Sequence, residues 1–570
     1  MLNPTWRWFG PSDNISLDHI KMTGAKGIVS ALHHIPIGDV WEYEEIVALK
    51  SIIESKNLSW DVVESIPVHE SIKYGGKDKD YYIENYIKSI ENMAKAGLNI
   101  LCYNFMPVVD WTRTDLRYKY YDNSLALRFD FIKFIIFDLY ILKRSESSKY
   151  YSSQQLSKAE KIFKSMTSLE KEELTKTILQ GLPGSNVESY KLENFKKKLD
   201  NYKDLLKVDL SNNLKYFLSK IVPICEKNKV YLAIHPDDPP IDLFGIPRIV
   251  SSAQDMLKIC DYYPSKYNGV TLCIGSLASK ECNVKQTIDL LADKANFIHL
   301  RNVKKDSDKL SFTESNHLDG DIDMNYVICK TLYQIRDFNI PFRPDHGHLI
   351  YDDIDKIKIN PGYSYIGRLK GLGELNGIIY SQSKKITYQS FIYHLKKDRH
   401  KVIPIVKNRS DILKINFNCK FIELVLRNEE SYNELTKIKE CNKILTCGTI
   451  TSKKDIDICI SKNINIFFCP HLDEDLIKYA FENQSIIIPG VLTPTEIIKA
   501  YKMGVSVVKF FPSGNNYESL QQYSNVFDKL GIKYIATGGI NNDNYKKYLS
   551  IKNVIAVGSS NISEIFDPII

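Results

Sequence analysis

The stretches VYLAIH (230–235), VTLCIG (270–275), FIHLR (297–301) and FRPDH (342–346) decide the fold. Each is a short apolar run with a residue at or near its end that can bind a metal or move a proton. Upstream lie four more runs of the same kind: WRWFG (6–10), GIVSALH (27–33), WDVVES (60–65) and NILCYNF (99–105). Intervening segments such as DYYIENYIKSIENMAKAG (80–97) carry helical periodicity. Eight strands alternating with helices predict a (β/α)8 barrel. One interval, 108–229, is too long for a simple connection. It contains helical periodicity, as in SKAEKIFKSMTSLEKEELTKTILQGL (157–182), so a helical insertion over about 145–215 is expected, serving as a lid or an oligomer contact. Recurring aromatic and aliphatic residues argue against a disordered linker there.

A second series follows: VIPIVK (402–407), FIELVLR (421–427), ILTCGTI (444–450), INIFFCP (464–470), IIIPGV (486–491), VSVVKFF (505–511), YIATGG (534–539) and IAVGSS (555–560). These are again eight, at the spacing of a small barrel. The polar segment YSQSKKITYQ (380–389) marks the junction. The expected class is therefore α/β, two (β/α)8 TIM barrels in tandem over 1–383 and 387–570. The two series share no evident sequence similarity, which points to fusion rather than duplication.

Composition narrows the function classes. A net charge of +7 is small against 76 basic and 69 acidic residues, so no basic arm or stripe for nucleic acid is expected. The 11 cysteines are scattered without a CxxC pair, which favours a reducing compartment over a disulfide framework. The N-terminus lacks a charged-then-apolar leader, and no apolar run reaches the roughly 18–20 residues that span a bilayer. A cytoplasmic protein with no membrane partner is the expectation.

Barrel active groups sit at the C-terminal ends of strands. Four successive strands place His235, Cys273, His299 and Asp345 there. A lone histidine at such a place is more often packed or solvent-facing, and a lone buried cysteine is usually a small hydrophobe. Four together are able to converge on one ion. Two imidazoles, a thiolate and a carboxylate suit Fe(II), Mn(II) or Zn(II) better than Mg(II) or Ca(II). Asp345 lies within RPDHGH (343–348), which sets a second histidine beside a ligand.

The blocks WRWFGPSD, ALHHIP, VVESIPVHE, CYNFMPVVDWTRTDL, HPDDPP, GIPRIVS, HLDGDIDM, RPDHGH and NPGYSYIGRLKGL resemble mannonate dehydratase, from residue 1 to about 380. The resemblance implies dehydration of D-mannonate to 2-keto-3-deoxygluconate with Mn(II) or Fe(II). It assigns the metal to His235, Cys273, His299 and Asp345, and acid/base roles to His346 and to Tyr363 of NPGY. The C2 proton beside a carboxylate is weakly acidic, so the reaction needs charge stabilisation, a base and an acid. Tyr363 is read as base and His346 as acid; the split also works reversed, and Tyr363 is alternatively a ring packed over the mouth. Arg113 and Arg301 are candidate clamps for carboxylate or hydroxyl, because guanidinium offers forked donors. Arg301 fits equally well as an ion-pair residue. Where family members carry a Tyr and an Arg after the cysteine strand, Leu277 and Lys280 stand here.

In the second series, VVKFFP (507–512) sets Lys509 among apolar neighbours. Burying a lysine without a partner is costly, and a desolvated amine that sheds its charge attacks carbonyls. The alternative is a strand-edge lysine snorkelling to water. Glu423 is placed to shuttle protons, Arg427 to hold a carboxylate, and Thr449 to donate a hydrogen bond. Small residues in TGG (537–539) and GSS (558–560) expose backbone N–H groups, a common phosphate cradle.

VIPIV, IELVLRN, CGTI, IIIPGVLTPTE, VVKFFPSG and IATGGIN resemble the Schiff-base aldolases of 2-keto-3-deoxy-6-phosphogluconate (KDPG) and 4-hydroxy-2-oxoglutarate, over about 390–560. The resemblance implies imine formation at Lys509 with no further cofactor, and proton transfer by Glu423. It places Arg427 and Thr449 on the pyruvoyl carboxylate, and Gly538, Gly539 and Ser560 near phosphate. Two features depart from the family. Cys469-Pro470-His471 replaces Ser-Pro-Gly, and about ten residues follow GSS, so the closing helix is expected to be missing or minimal.

The expected partners are sugar acids and their phosphates, in a homo-oligomer. Two other readings remain at this point. The second barrel binds a sugar phosphate without cleaving it, or the first is a metal-dependent sugar isomerase. A carboxylate-rich two-metal site would favour the isomerase; Cys273 and a single ligand set speak against it. A non-enzymatic scaffold explains neither constellation.

Overall fold

A computed structural model of the chain describes residues 2–180, 192–280, 283–334, 339–356, 358–437, 443–483, 485–564 and 566. The chain divides into two compact units, residues 1–379 and 380–570.

The first unit contains twelve described strands: β1 (Asn3–Arg7), β2 (Gly27–Ser30), β3 (Ser59–Glu64), β4 (Ile100–Tyr103), β5 (Asp115–Lys119), β6 (Leu125–Phe129), β7 (Tyr231–Ile234), β8 (Asn268–Cys273), β9 (Ala295–His299), β10 (Asn302–Lys305), β11 (Phe312–Ser315) and β12 (Pro341–Arg343). Eight of them close a parallel barrel in the order β1-β12-β9-β8-β7-β4-β3-β2. These are the eight strands expected from sequence, with ends shifted by a few residues. Most of their positions are buried because a parallel barrel is covered on both faces; β8 and β9 are buried at every position. Val29, Val62, Cys102, Ala233 and Phe297 pack together inside the barrel.

Register brings functional side chains to one level. Cys273 pairs with His299 across β8 and β9, and His299 pairs with Arg343 across β9 and β12. His235 follows β7, its N–H donating to the Tyr103 carbonyl at 2.7 Å.

A four-stranded antiparallel sheet, ordered β10-β11-β6-β5, is an addition that the sequence reading did not anticipate. Its hairpin β5–β6 turns through Asn123 at φ 66°, a conformation asparagine tolerates. Strand β5, DLRYK, is polar and half exposed, so it carries no apolar signal. Between β6 and β7 lie the extra helices. The expected helix 157–182 is two helices, Ser153–Ser165 and Ser168–Gln180. The first is capped by a Ser152–Gln155 box. Residues 207–215, which periodicity alone joins to the insertion, begin the long helix Lys207–Asn228. That helix buries Leu214, Phe217, Ile221 and Cys225 and leads directly into β7.

The second unit has β13 (Val402–Val406), β14 (Phe421–Val425), β15 (Ile444–Gly448), β16 (Ile466–Phe468), β17 (Ile486–Ile488), β18 (Gly490–Val491), β19 (Val507–Phe510), β20 (Lys533–Thr537) and β21 (Val554–Ser559). All pair in parallel in the order β17-β16-β15-β14-β13-β21-β20-β19-β18. Only Pro489 separates β17 from β18. Proline has no N–H for the ladder, so one bent strand serves two neighbours and brings the ring of eight to closure. The polar segment 380–389 lies within a helix, Tyr365–Lys397. Its signal was masked by polar residues, but Tyr388, Phe391 and Leu395 follow helical spacing and are buried in the second core. The expected absence of a closing helix falls partly on 565 and 567–570, outside the described residues; Phe566 packs on Phe417 and Tyr545. Among the described residues no helix is long and apolar enough to cross a membrane.

Phe297 is fully buried inside the first barrel. Phe297→Ala should destabilise that unit by about 3–5 kcal/mol, read as a lowered midpoint in urea unfolding of the whole chain. An unchanged midpoint would contradict a filled barrel interior.

Candidate metal centre and lysine site

Three ligand atoms gather at the C-terminal end of the first barrel. They come from His235, Cys273 and His299 and all lie within 4.8 Å of one another. His235 Nδ1 donates to the Pro236 carbonyl at 2.7 Å, which leaves Nε2 with its lone pair. That nitrogen is 3.2 Å from His299 Nδ1. Burial disfavours the charged form of His235, as a ligand imidazole requires. His299 is held at Nε2, where Arg343 Nε donates at 3.1 Å and Glu64 lies at 3.3 Å, and its Nδ1 faces His235. Two nitrogens and a sulfur turned to one buried point fit a divalent ion of borderline softness. Asp345 stands beside them, its carboxylate oxygens 3.9 Å from Cys273 Sγ and from His299 Nδ1. Its backbone has φ 55°, uncommon outside glycine. Burial opposes its charge, but Arg343, His346, His299 and Arg301 outweigh that and hold the carboxyl well below the usual range.

Behind this cluster runs a buried chain of charges. Arg113 takes both oxygens of Asp238 at 2.9 and 3.1 Å, donates through Nε to Glu314 at 3.0 Å, and caps the Thr112 carbonyl at 2.8 Å. With a second bond from Nη2 to Glu314, all five of its donors are engaged and the side chain is fully buried. Arg113 therefore stands behind the site as an ion-pair residue, not in the cavity wall as a clamp. Arg301 donates to Asp238 and Ser276 at 2.9 and 2.8 Å and does line the cavity. Burial raises the Glu314 carboxyl, but His346, Arg301 and Arg113 prevail and hold it at about 2.

The cavity over the metal cluster is lined by Arg7, Asp110, Trp111, Arg301, His346 and Tyr363, among others. The His346 and Tyr363 rings meet edge to face with centroids 5.0 Å apart. Phe9 backs Tyr363 at 4.8 Å. Burial pushes the Tyr363 hydroxyl upward in pKa, while Arg343 pulls it down. Leu277 is buried in the short helix Ile274–Ala278, and Lys280 is exposed beyond it. Sequence reasoning singled out neither Asp238 nor Glu314, nor Glu64 and Arg343. Asp238 was visible in HPDDPP and Arg343 in RPDH; Glu314, in the unanticipated sheet, gave no signal.

In the second unit Lys509 and Glu423 meet across the barrel. Lys509 Nζ donates to Glu423 Oε1 at 3.2 Å, and both side chains are buried. Phe468 and Phe511 face the ammonium at 5.6 and 5.5 Å. Gly448 makes room for the carboxylate, since a Cβ there would fall 2.0 Å from Glu423 Oε1. The other Glu423 oxygen is buried without a hydrogen-bond partner. Thr449 follows β15 at φ 63°, a strained conformation for a β-branched residue. Arg427, past β14, and Ser560, past β21, are exposed. Gly538 and Gly539 follow β20 at φ 80° and 84°, and a Cβ on Gly539 would come within 2.7 Å of Gly514. All five follow the C-terminal ends of strands and so lie on one side of the barrel. His471 is half exposed, 3.8 Å from Asp473.

Comparison with known proteins follows this division. Residues 394–566 match the family profile described as KDPG and KHG aldolase. The first unit has closer counterparts. The chain is 46% identical over 389 residues to a mannonate dehydratase of Saccharophagus degradans, covering 67% of this chain and 98% of that protein. It is 45% identical over 382 residues to a mannonate dehydratase of Marinomonas sp., covering 66% and 97%. The crystal structure of mannonate dehydratase from Streptococcus suis serotype 2 aligns with a TM-score of 0.53 and 33% identity, covering 67% of this chain and 94% of that one. The profile described as D-mannonate dehydratase (UxuA) spans residues 2–389, the stretch that carries the His–Cys–His cluster, the buried charge chain and the cavity above them, and the chain belongs to that family.

Proposed function

We propose that the first barrel dehydrates D-mannonate to 2-keto-3-deoxygluconate, and that the second cleaves 2-keto-3-deoxy-6-phosphogluconate to pyruvate and glyceraldehyde 3-phosphate. The observation that carries the first assignment is the convergence of His235, Cys273 and His299 beneath a cavity walled by His346 and Tyr363.

His235, Cys273, His299 and Asp345 would hold a Mn(II) or Fe(II) ion, which supplies Lewis-acid stabilisation for charge developing on the substrate. The chain's own residues do the rest. Arg301 orients substrate oxygens in the cavity wall. Tyr363 takes the C2 proton, its anionic form favoured by Arg343. His346 Nε2 protonates the C3 oxygen as the C3–O bond breaks and water leaves. The enol so formed tautomerises to the 2-keto acid. One observation favours the reversed split: burial keeps Tyr363 protonated, suiting it to act as acid with His346 as base.

For the second barrel, the contact between Lys509 and Glu423 is the supporting observation. The Lys509 amine attacks the C2 carbonyl and water leaves to give the imine. The C3–C4 electron pair moves into that imine as the bond breaks, releasing glyceraldehyde 3-phosphate. Glu423 moves the protons, and water hydrolyses the pyruvate imine. Arg427 and Thr449 are assigned to the carboxylate, and Gly538, Gly539 and Ser560 to the phosphate.

Tyr363→Phe and His346→Asn should each lower dehydration about 10²–10⁴-fold. Their behaviour in D2O separates the roles. The variant lacking the acid still exchanges the C2 hydrogen of D-mannonate, and the variant lacking the base does not. Exchange retained by His346→Asn and lost by Tyr363→Phe supports the first split; the opposite pattern reverses it.

Chelation should abolish dehydration while leaving pyruvate release intact, measured through coupled lactate dehydrogenase. Lys509→Ala should do the opposite, and should also lose borohydride trapping of pyruvate. Folded parent protein that releases no pyruvate would sink the aldolase assignment.

A further inference from the structure

The antiparallel sheet of the first unit brings a carboxylate to the site. Glu314 lies on β11, between β10 and β6, and its side chain is buried against the charge chain. Its two oxygens have separate partners. Oε1 receives Arg113, with Arg301 at 3.5 Å. Oε2 lies 2.7 Å from His346 Nδ1.

This contact fixes the imidazole. An ionised carboxylate only accepts hydrogen bonds, so an approach of 2.7 Å requires the proton on Nδ1. Arg301 Nη1, at 3.4 Å from the same nitrogen, is the weaker candidate partner, and it finds no lone pair there once Glu314 holds the proton. Nε2 is then left to exchange a proton with whatever fills the cavity. The ring has little freedom to choose otherwise. Trp111 and Tyr363 meet it edge-on, with centroids at 6.1 and 5.0 Å. A Cβ on Gly362 would lie 2.9 Å from its Cγ and Cδ2, so only glycine lets the backbone pass this close. Glu314 is held in turn through its carbonyl, which accepts from His348 Nε2 at 2.8 Å.

We infer that Glu314 is the positioning residue for His346: its carboxylate sets the tautomer and orientation that present Nε2 to the substrate, and the sheet carrying it is part of the dehydratase machinery. This rests on His346 as a proton-transfer group, in either direction of the split proposed above. In a carboxylate–imidazole pair of this kind, loss of the charge with retention of shape lowers turnover strongly.

The test is a cycle of Glu314→Gln, His346→Asn and the double variant in the full-length, metal-loaded protein, followed by dehydration of D-mannonate. Glu314→Gln should lower kcat at least about 100-fold with KM within about 3-fold and metal content unchanged, measured on folded protein well below the lowered unfolding midpoint that loss of its charge beside Arg113 and Arg301 brings. In the His346→Asn background the same substitution should cost no further activity, because its effect passes through the imidazole. A purely structural Glu314 would instead lower activity by the same factor in both backgrounds, and that result overturns the inference. So does Glu314→Gln with parental kcat while His346→Asn is impaired. Parental activity in His346→Asn would overturn the role of His346 itself, and the inference with it.

Discussion

Two carboxylates and two guanidiniums taken out of water must be buried as a set. Asp238 and Glu314 share Arg113 and Arg301 in this way, and each of the four comes from a different part of the chain. Arg113 precedes β5, Asp238 follows β7, Arg301 follows β9 and Glu314 lies on β11. Removing one member of such a set leaves a charge unmatched, at about 3–5 kcal/mol. The barrel mouth and the antiparallel sheet are therefore tied at the point where chemistry is expected. Depth by itself opposes these charges, but in a region of low dielectric the fixed ion pairs also act more strongly on one another than they would in water, and they prevail.

Above this foundation the parallel register does the sorting. Pairing of Cys273 with His299, and of His299 with Arg343, sets a sulfur, an imidazole and a guanidinium side by side on three adjacent strands. The arginine donates through Nε to His299 Nε2 at 3.1 Å. It turns to Glu64 and Asp345, so the carboxylates nearest the cluster keep their charge although they are buried. An ion held by His235, Cys273, His299 and Asp345 would thus sit beside carboxylates that are already ionised.

What the sequence revealed and what it hid divide along the range of the interactions. Strands such as VTLC and FIHL announce themselves, since both faces of a barrel strand are covered and the apolar run is continuous. The ligands His235, Cys273 and His299 were legible because strand ends place them by topology alone. Glu314 was not. It sits in FTES, a strand of four residues with no periodic signal, and its partner His346 is 32 positions away. The ion pairs of Arg113 were out of reach for a related reason: the carboxylates that engage it stand 125 and 201 positions downstream. Spacing along the chain says nothing of such pairs. The helix through 380–389 was hidden differently, by polar residues interleaved with a helical stripe of Tyr388, Phe391 and Leu395.

On the reading proposed, both barrels face the same chemical difficulty. Each must stabilise negative charge developing on carbon in a substrate that already carries a carboxylate, at C2 beside it in the first barrel and at C3, one carbon further, in the second. The first barrel would meet it with a bound cation, gathered by side chains that are neutral or anionic, and with arginines that keep the surrounding carboxylates ionised. The second has no comparable gathering of ligands around Lys509 among its described residues. It sets one amine against one carboxylate, with the Phe468 and Phe511 rings beside the amine. There the electron sink is made from the substrate itself, when the amine converts a carbonyl to an imine. A permanent cation suits a substrate that arrives as a hydroxy acid, since it has no carbonyl for an amine to attack. A lysine suits a substrate that arrives as a keto acid. The order of oxidation states, hydroxy acid before keto acid, thus matches the kind of electrophile each barrel is built to provide.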